Sequence, residues 1–209
     1  MKSQLKTIAN TVKGAKEHIA SYSEMAIDIF IDEETLKNIP IVEHAIKILN
    51  IRDAYKKNKI KRNYLCFIES VSKLSDSETE TFSTTLFNGD ALGEDATETL
   101  FEIIAEGEKP IRASIAGNLV CALAKGKISL KTYNDLLLIA HSGSILAQKY
   151  IPEATKTMAH FGEWDHPFGS PEEPLLISLG IVKKQGRIMM LSKLGKQFFI
   201  HGYNINENQ

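Results

Sequence analysis

The sequence predicts a mainly α protein, a helical bundle with a small C-terminal α+β unit. Three observations carry this. Apolar residues recur at helical spacing, most clearly Ile60, Tyr64, Phe67, Val71 and Leu74. Residues 113–124 (ASIAGNLVCALA) are uncharged and apolar almost all round, as in a central buried helix. Beyond a Pro- and Gly-rich stretch at 161–174, the pattern changes to helix, strand, hairpin, strand and helix.

Residues 1–38 read as an N-terminal helical arm. Leu5, Ile8, Val12, Ile19 and Tyr22 form an apolar stripe weakened by Gly14, suited to docking on the body or to a homodimer. Asp32, Glu33 and Glu34 follow a short apolar run and suit the first turn of a helix, where the macrodipole favours negative charge.

The helical bundle is expected over residues 39–160. Pro40 opens a helix whose wide apolar face includes Ile41, Ala45, Ile48 and Leu49. After the 60–74 stripe, Ser75 and Glu78, or Ser77 and Glu80, have capping-box spacing ahead of Phe82, Leu86 and Phe87. Asn88, Gly89 and Asp90 then stop that helix. Ala96, Leu100, Ile103 and Ile104 define the next one, which ends near Gly107. Pro110 opens the central helix, where Gly117 permits close approach of a neighbour. Residues 126–129 (GKIS) form a turn whose serine caps a helix presenting Leu130, Tyr133, Leu137 and Ala140.

Residues 161–174 read as a linker or surface loop, with three prolines and two glycines in fourteen positions. Residues 175–209 form the last unit. A short helix through Leu175, Leu176 and Leu179 stops at Gly180, strands flank a Gln185-Gly186 turn, and a helix covers 192–200.

Two resemblances bear on these segments. The run 36–42 (LKNIPIV), with Ile51-Arg52-Asp53 and 67–75 (FIESVSKLS), resembles an uncharacterised family of bacterial helical proteins over roughly residues 24–145. Glu43-His44 and Ala54 depart from that family's pattern, and the resemblance implies a helical fold without any catalytic residue. Residues 175–199 (LLISLGIVKKQGRIMMLSKLGKQFF) resemble the back half of a winged-helix domain. Leu176, Leu179, Gly180, Ile181 and Val182 match its first part, and Leu191, Ser192, Leu194, Gly195 and Phe199 its second. That resemblance implies a winged-helix-like unit, a fold that serves both DNA binding and protein contact.

Composition narrows the function classes. With 25 Lys+Arg against 26 Asp+Glu, the net charge of −1 gives no global pull toward polyanions. The charge is nevertheless segregated: residues 76–110 carry 1 cation and 10 anions between two mildly basic ends. The longest uncharged run, residues 136–148, is thirteen residues, too short to span a bilayer, and the N-terminus has no signal-peptide pattern. Two cysteines within apolar patterns argue for a reducing compartment, so a cytoplasmic location is expected.

The strongest charge feature is the basic run Arg52, Lys56, Lys57, Lys59, Lys61 and Arg62, six cations within eleven residues. It suits phosphates or anionic lipid heads, or a solvated helix end, and its cations fall on more than one helical face. In the C-terminal unit, Lys183, Lys184 and Arg187 lie on the hairpin, while Glu172 and Glu173 precede a helix without Lys or Arg. His160, Glu163, Asp165 and His166 match no metal-ligand spacing. Cys66 and Cys121 read as small buried residues, and His141-Ser142-Gly143-Ser144 as a helix end rather than a triad. No catalytic, cofactor-binding or metal-ligating set emerges, and no cofactor is expected.

The sequence thus points to a non-enzymatic interaction or regulatory protein of the bacterial cytoplasm, with a protein partner. Two alternatives remain: a winged-helix DNA-binding regulator, and a peripheral membrane-associated protein using the amphipathic segment 41–62 on a membrane surface.

Overall fold

A computed structural model describes residues 10–13, 54–87, 91–144, 163–164, 173–186 and 188–204. The expected arm apart from residues 10–13, the helix opened by Pro40, the stop at 88–90, and His160, Asp165 and His166 lie outside these residues. Of the described residues, 76% are helical.

Five long helices form the body: α1 (Ala54–Val71), α2 (Asp76–Phe87), α3 (Ala91–Ala105), α4 (Pro110–Ala124) and α5 (Leu130–Ser142). The stripe Ile60, Tyr64, Phe67 and Val71 is at most 1% exposed, and Leu74, just past the end of α1, is equally buried. Ser75 and Glu78 form the capping box of α2. The Ser75 N–H donates to Glu78 Oε2 at 2.7 Å, and the Glu78 N–H donates to Ser75 Oγ at 3.3 Å.

Helix α4 is the centre of the body, touching α1, α2, α3 and α5. Pro110 stands at its start, and its buried positions run from Ala113 to Ala124. Its closest partner is α1, and Gly117 explains why. A Cβ added there would lie 2.7 Å from Ser70 Cβ and 2.9 Å from the Phe67 carbonyl oxygen. Gly126, at φ +66°, ends α4 in a Schellman motif: its N–H donates to Leu123 O and that of Lys127 to Ala122 O. Ser129 then caps α5, its Oγ accepting from the Thr132 N–H at 3.2 Å. Phe82 and Tyr133 meet edge to face in the core, with centroids 6.3 Å apart.

Val12 of the N-terminal segment is buried in this same core. Among the described residues no helix is long and apolar enough to cross a membrane.

The C-terminal part contains β1 (Glu163–Trp164), α6 (Glu173–Ser178), β2 (Val182–Gln185), β3 (Ile188–Leu191) and α7 (Lys193–Gln197), followed by a π-helical turn, Phe198–Gly202. The strands form an antiparallel sheet in the order β1-β3-β2. Two features differ from expectation. The sequence gives no sign of β1, a two-residue edge strand inside the Pro/Gly-rich stretch. The helix expected over 192–200 is α-helical only to Gln197 and then widens into the π turn.

The hairpin also shifts by one residue. Gln185 pairs with Ile188, so the connection begins at Gly186 rather than Gln185. A two-residue hairpin loop asks for positive φ at its first central residue, and Gly186 has φ +63°.

Leu176, Ile181, Val182, Met189, Leu191, Phe198 and Phe199 belong to one core cluster with the helical body. The π turn packs on α4.

Candidate functional site

The C-terminal unit is built around two glycines. Gly180, at φ +68°, ends α6, its N–H donating to Ile177 O and that of Ile181 to Leu176 O. Leu176 and Ile181 are both fully buried, which fixes the helix end against the sheet. Ser192 starts α7: its Oγ accepts from the Gly195 N–H at 2.9 Å and its hydroxyl donates to Gly180 O. The Ser192 N–H donates to Ile181 O at 2.9 Å, and a Cβ on Gly195 would lie 2.1 Å from that same oxygen. Only glycine fits there without displacement.

On this frame α6 has the sequence EPLLIS, without a cation. Leu176 faces inward, whereas Leu175 and Ile177 flank the outer side at 45% and 40% exposure. Pro174 and Ser178, also exposed, lie between them.

The hairpin carries the cations, and its register separates them. Lys183 is paired with Met190 and Lys184 with Met189. Successive strand residues take opposite faces, so Lys184 shares the side of buried Met189, and Lys183 lies on the other. Both are exposed in the middle of β2, while Arg187 lies outside the described residues.

The basic run on α1 is divided in a similar way. Arg52 lies outside the described residues. Lys56 and Arg62 are exposed, and Lys57, Lys59 and Lys61 are half-buried. Among the described residues, Lys59 and Arg62 share a cleft of about 90 Å³ that they line with Tyr55, Asn58, Asn63, Glu108 and Pro110.

Asn63 is the residue whose role the sequence does not announce. It is fully buried, and its Nδ2 donates to Ile104 O at 3.1 Å and Gly107 O at 2.8 Å, closing the end of α3. Its Oδ1 has no hydrogen-bond partner. The signal was available, because a polar residue at position 63 interrupts the stripe of Ile60, Tyr64 and Phe67.

The remaining candidates are structural. Arg112 caps the end of α5, donating from Nη1 to His141 O at 2.6 Å and from Nη2 to Gly143 O at 2.9 Å. His141 Nε2 lies 3.4 Å from Glu102 Oε2. Cys66 on α1 and Cys121 on α4 are free thiols, half-buried rather than buried, and pack against the core. The Cys121 Sγ donates to Ser70 O at 3.3 Å, and burial pushes its thiol up to about 11 despite Lys125 and Lys73 nearby. Burial likewise raises the Tyr133 phenol. No group of three metal-ligating side chains occurs among the described residues.

No family model matches the chain, and no curated protein or solved structure is significantly similar to it.

Proposed function

We propose that this chain is a non-enzymatic interaction protein of the cytoplasm, whose helical body holds a winged-helix-like C-terminal unit against a protein partner. One observation carries the reading. The helix ahead of the hairpin exposes Leu175 and Ile177 on its two flanks, with Pro174 and Ser178 between them, and has no cation. A helix that enters a nucleic-acid groove needs donors for phosphates and base edges. Exposed apolar side chains on a face without cations instead suit a protein interface. The free thiols agree with a reducing compartment.

A DNA-binding regulator is the second reading, supported by the exposure of Lys183 and Lys184 on the hairpin. Their placement on opposite faces weakens it, because a phosphate backbone needs cations along one side. The membrane-surface reading rests on a segment, 41–62, most of which lies outside the described residues.

Titration of the full chain against labelled random-sequence duplex DNA at two salt concentrations separates the first two readings. The expected result is the absence of any low-salt binding that Lys183→Ala, Lys184→Ala and Arg187→Ala together remove. Salt-sensitive binding lost in that triple variant replaces the protein-contact reading with the DNA-binding one.

A further inference from the structure

We propose that the protein partner of α6 is a second copy of this chain, the two α6 helices meeting face to face and antiparallel across a two-fold axis. This inference rests on the reading of α6 as a protein-contact surface and adds the identity of the partner.

The first argument is the arrangement of the exposed side chains. Leu176 is fully buried beneath α6, and Pro174, Leu175, Ile177 and Ser178 are exposed around it. Pro174 and Ser178 lie about one turn apart on the outer face, with Leu175 and Ile177 on its two flanks. Turned end for end about an axis at the level of Leu176, this arrangement matches itself. Pro174 then faces the partner's Ser178, Leu175 meets the partner's Leu175 along one flank, and Ile177 meets the partner's Ile177 along the other. Three of the four exposed side chains are apolar, so the contact removes from water what a single copy leaves wet. Neither Pro174 nor Ser178 is bulky, which lets the two helices approach closely at the centre.

The second argument is charge. Glu172 and Glu173 stand in the sequence at the start of α6, and no cation lies within the helix. Gly180 turns the chain directly into β2, where Lys183 and Lys184 are exposed on opposite faces of the strand. Lys183 follows that glycine by three residues, within about 11 Å along an extended chain. The surface therefore runs from acidic through apolar to basic. Because α6 is only about 9 Å long, an antiparallel copy brings its acidic end beside this chain's basic hairpin, and the same contact repeats at the other end. A parallel copy would set like charges together, and a polyanion would meet the acidic end as well as the basic one.

Such a two-fold contact closes at two copies. Six helical residues fall short of the roughly 800 Å² per partner of a standard stable interface, so the dimer is expected to be weak, with a Kd of roughly 10–500 µM. The apolar contact supplies most of that affinity, while the charges at its rim orient the copies. Removing the lysine charges with alanine therefore weakens the dimer only modestly.

The test is sedimentation equilibrium of the full chain from about 10 to about 500 µM. A concentration-dependent passage from monomer to dimer, with no larger species, is expected. Leu175→Asp with Ile177→Asp should stay monomeric across that range. Glu172→Lys with Glu173→Lys, and separately Lys183→Glu with Lys184→Glu, should each weaken the dimer by about tenfold or more. An equimolar mixture of those two charge-reversed chains should recover it, because both ends of the mixed pair then set Lys against Glu. Circular dichroism confirms that each variant keeps its helices, and recovery on mixing itself requires folded chains. A wild-type chain that stays monomeric, a dimer that survives the two aspartates, species beyond the dimer, or a mixture that fails to recover would each overturn the proposal. The duplex DNA titration tests the underlying protein-contact reading separately, so the two fail by different results.

Discussion

Asn118 Nδ2 donates to the carbonyl oxygen of Gly202 at 2.9 Å, joining two residues 84 positions apart. The bond fastens the π turn to the central helix, where Gly202 leaves only 3.1 Å between an added Cβ and Ile115 Cγ2. Phe198, Phe199 and Tyr203 pack as an aromatic group around it, with Phe199 and Tyr203 stacked at a centroid distance of 5.4 Å. Asn118→Leu strands the Gly202 carbonyl without its donor. A loss of about 1–3 kcal/mol in stability is expected. Urea unfolding measures it, and hydrogen exchange should quicken first in residues 198–203.

Gly195→Ala tests the joint between α6, the hairpin and α7. The new methyl would overlap the Ile181 carbonyl oxygen, which is backbone and already holds the Ser192 N–H. The expected cost is about 2 kcal/mol or more, seen as a lower midpoint of thermal unfolding. Ser192→Ala, which removes both the cap and the donor to the Gly180 carbonyl, should cost about 1–2 kcal/mol.

Gly117→Ala probes the close contact of α4 with α1. Ser70 Cβ and the Phe67 carbonyl oxygen leave no room for a methyl, so the helices must separate. A loss of about 1–3 kcal/mol is expected by chemical denaturation. The alanine gain in helix propensity, about 1 kcal/mol, offsets part of the strain without cancelling it.

Cys121 yields a pH prediction. Its thiol titrates near 11 in the folded chain against an ordinary value of 9.0, and the chief cause is burial. The unfolded chain therefore releases this proton first. The stability associated with the neutral thiol is complete below about pH 9 and is lost as pH rises toward 11. Denaturation across pH 8–11 should show that decline, and Cys121→Ala should reduce it. At pH 8 the folded thiol should react with a thiol reagent at least tenfold more slowly than after unfolding, since little thiolate is present.

Local chemistry made much of this fold readable. Ser75 with Glu78, Gly126 with Ser129, and Gly180 each act within a few residues, so their roles follow from spacing and backbone preference. The capping box illustrates the limit, because spacing allowed Ser75 with Glu78 or Ser77 with Glu80, and only the fold selects between them. The features that escaped are pairings between distant positions. Asn63 closes α3 from 41 and 44 residues away, and Arg112 caps a helix 29 and 31 residues further on. Strand β1 exists through its pairing with β3, since two residues in a Pro/Gly-rich stretch carry no periodicity. The same reason hides the cleft, whose cations were legible as a run while the buried amide and the start of α4 come to them only in three dimensions.

The central claim is that the C-terminal unit meets a protein through α6. The most direct measurement compares partner capture by the wild-type chain, by Leu175→Asp with Ile177→Asp, and by Lys183→Ala, Lys184→Ala with Arg187→Ala. A partner retained by the wild-type and lysine-depleted chains and lost from the aspartate variant is the result this account predicts. Retention by the aspartate variant, with loss from the lysine-depleted one, would contradict it and move the contact to the hairpin.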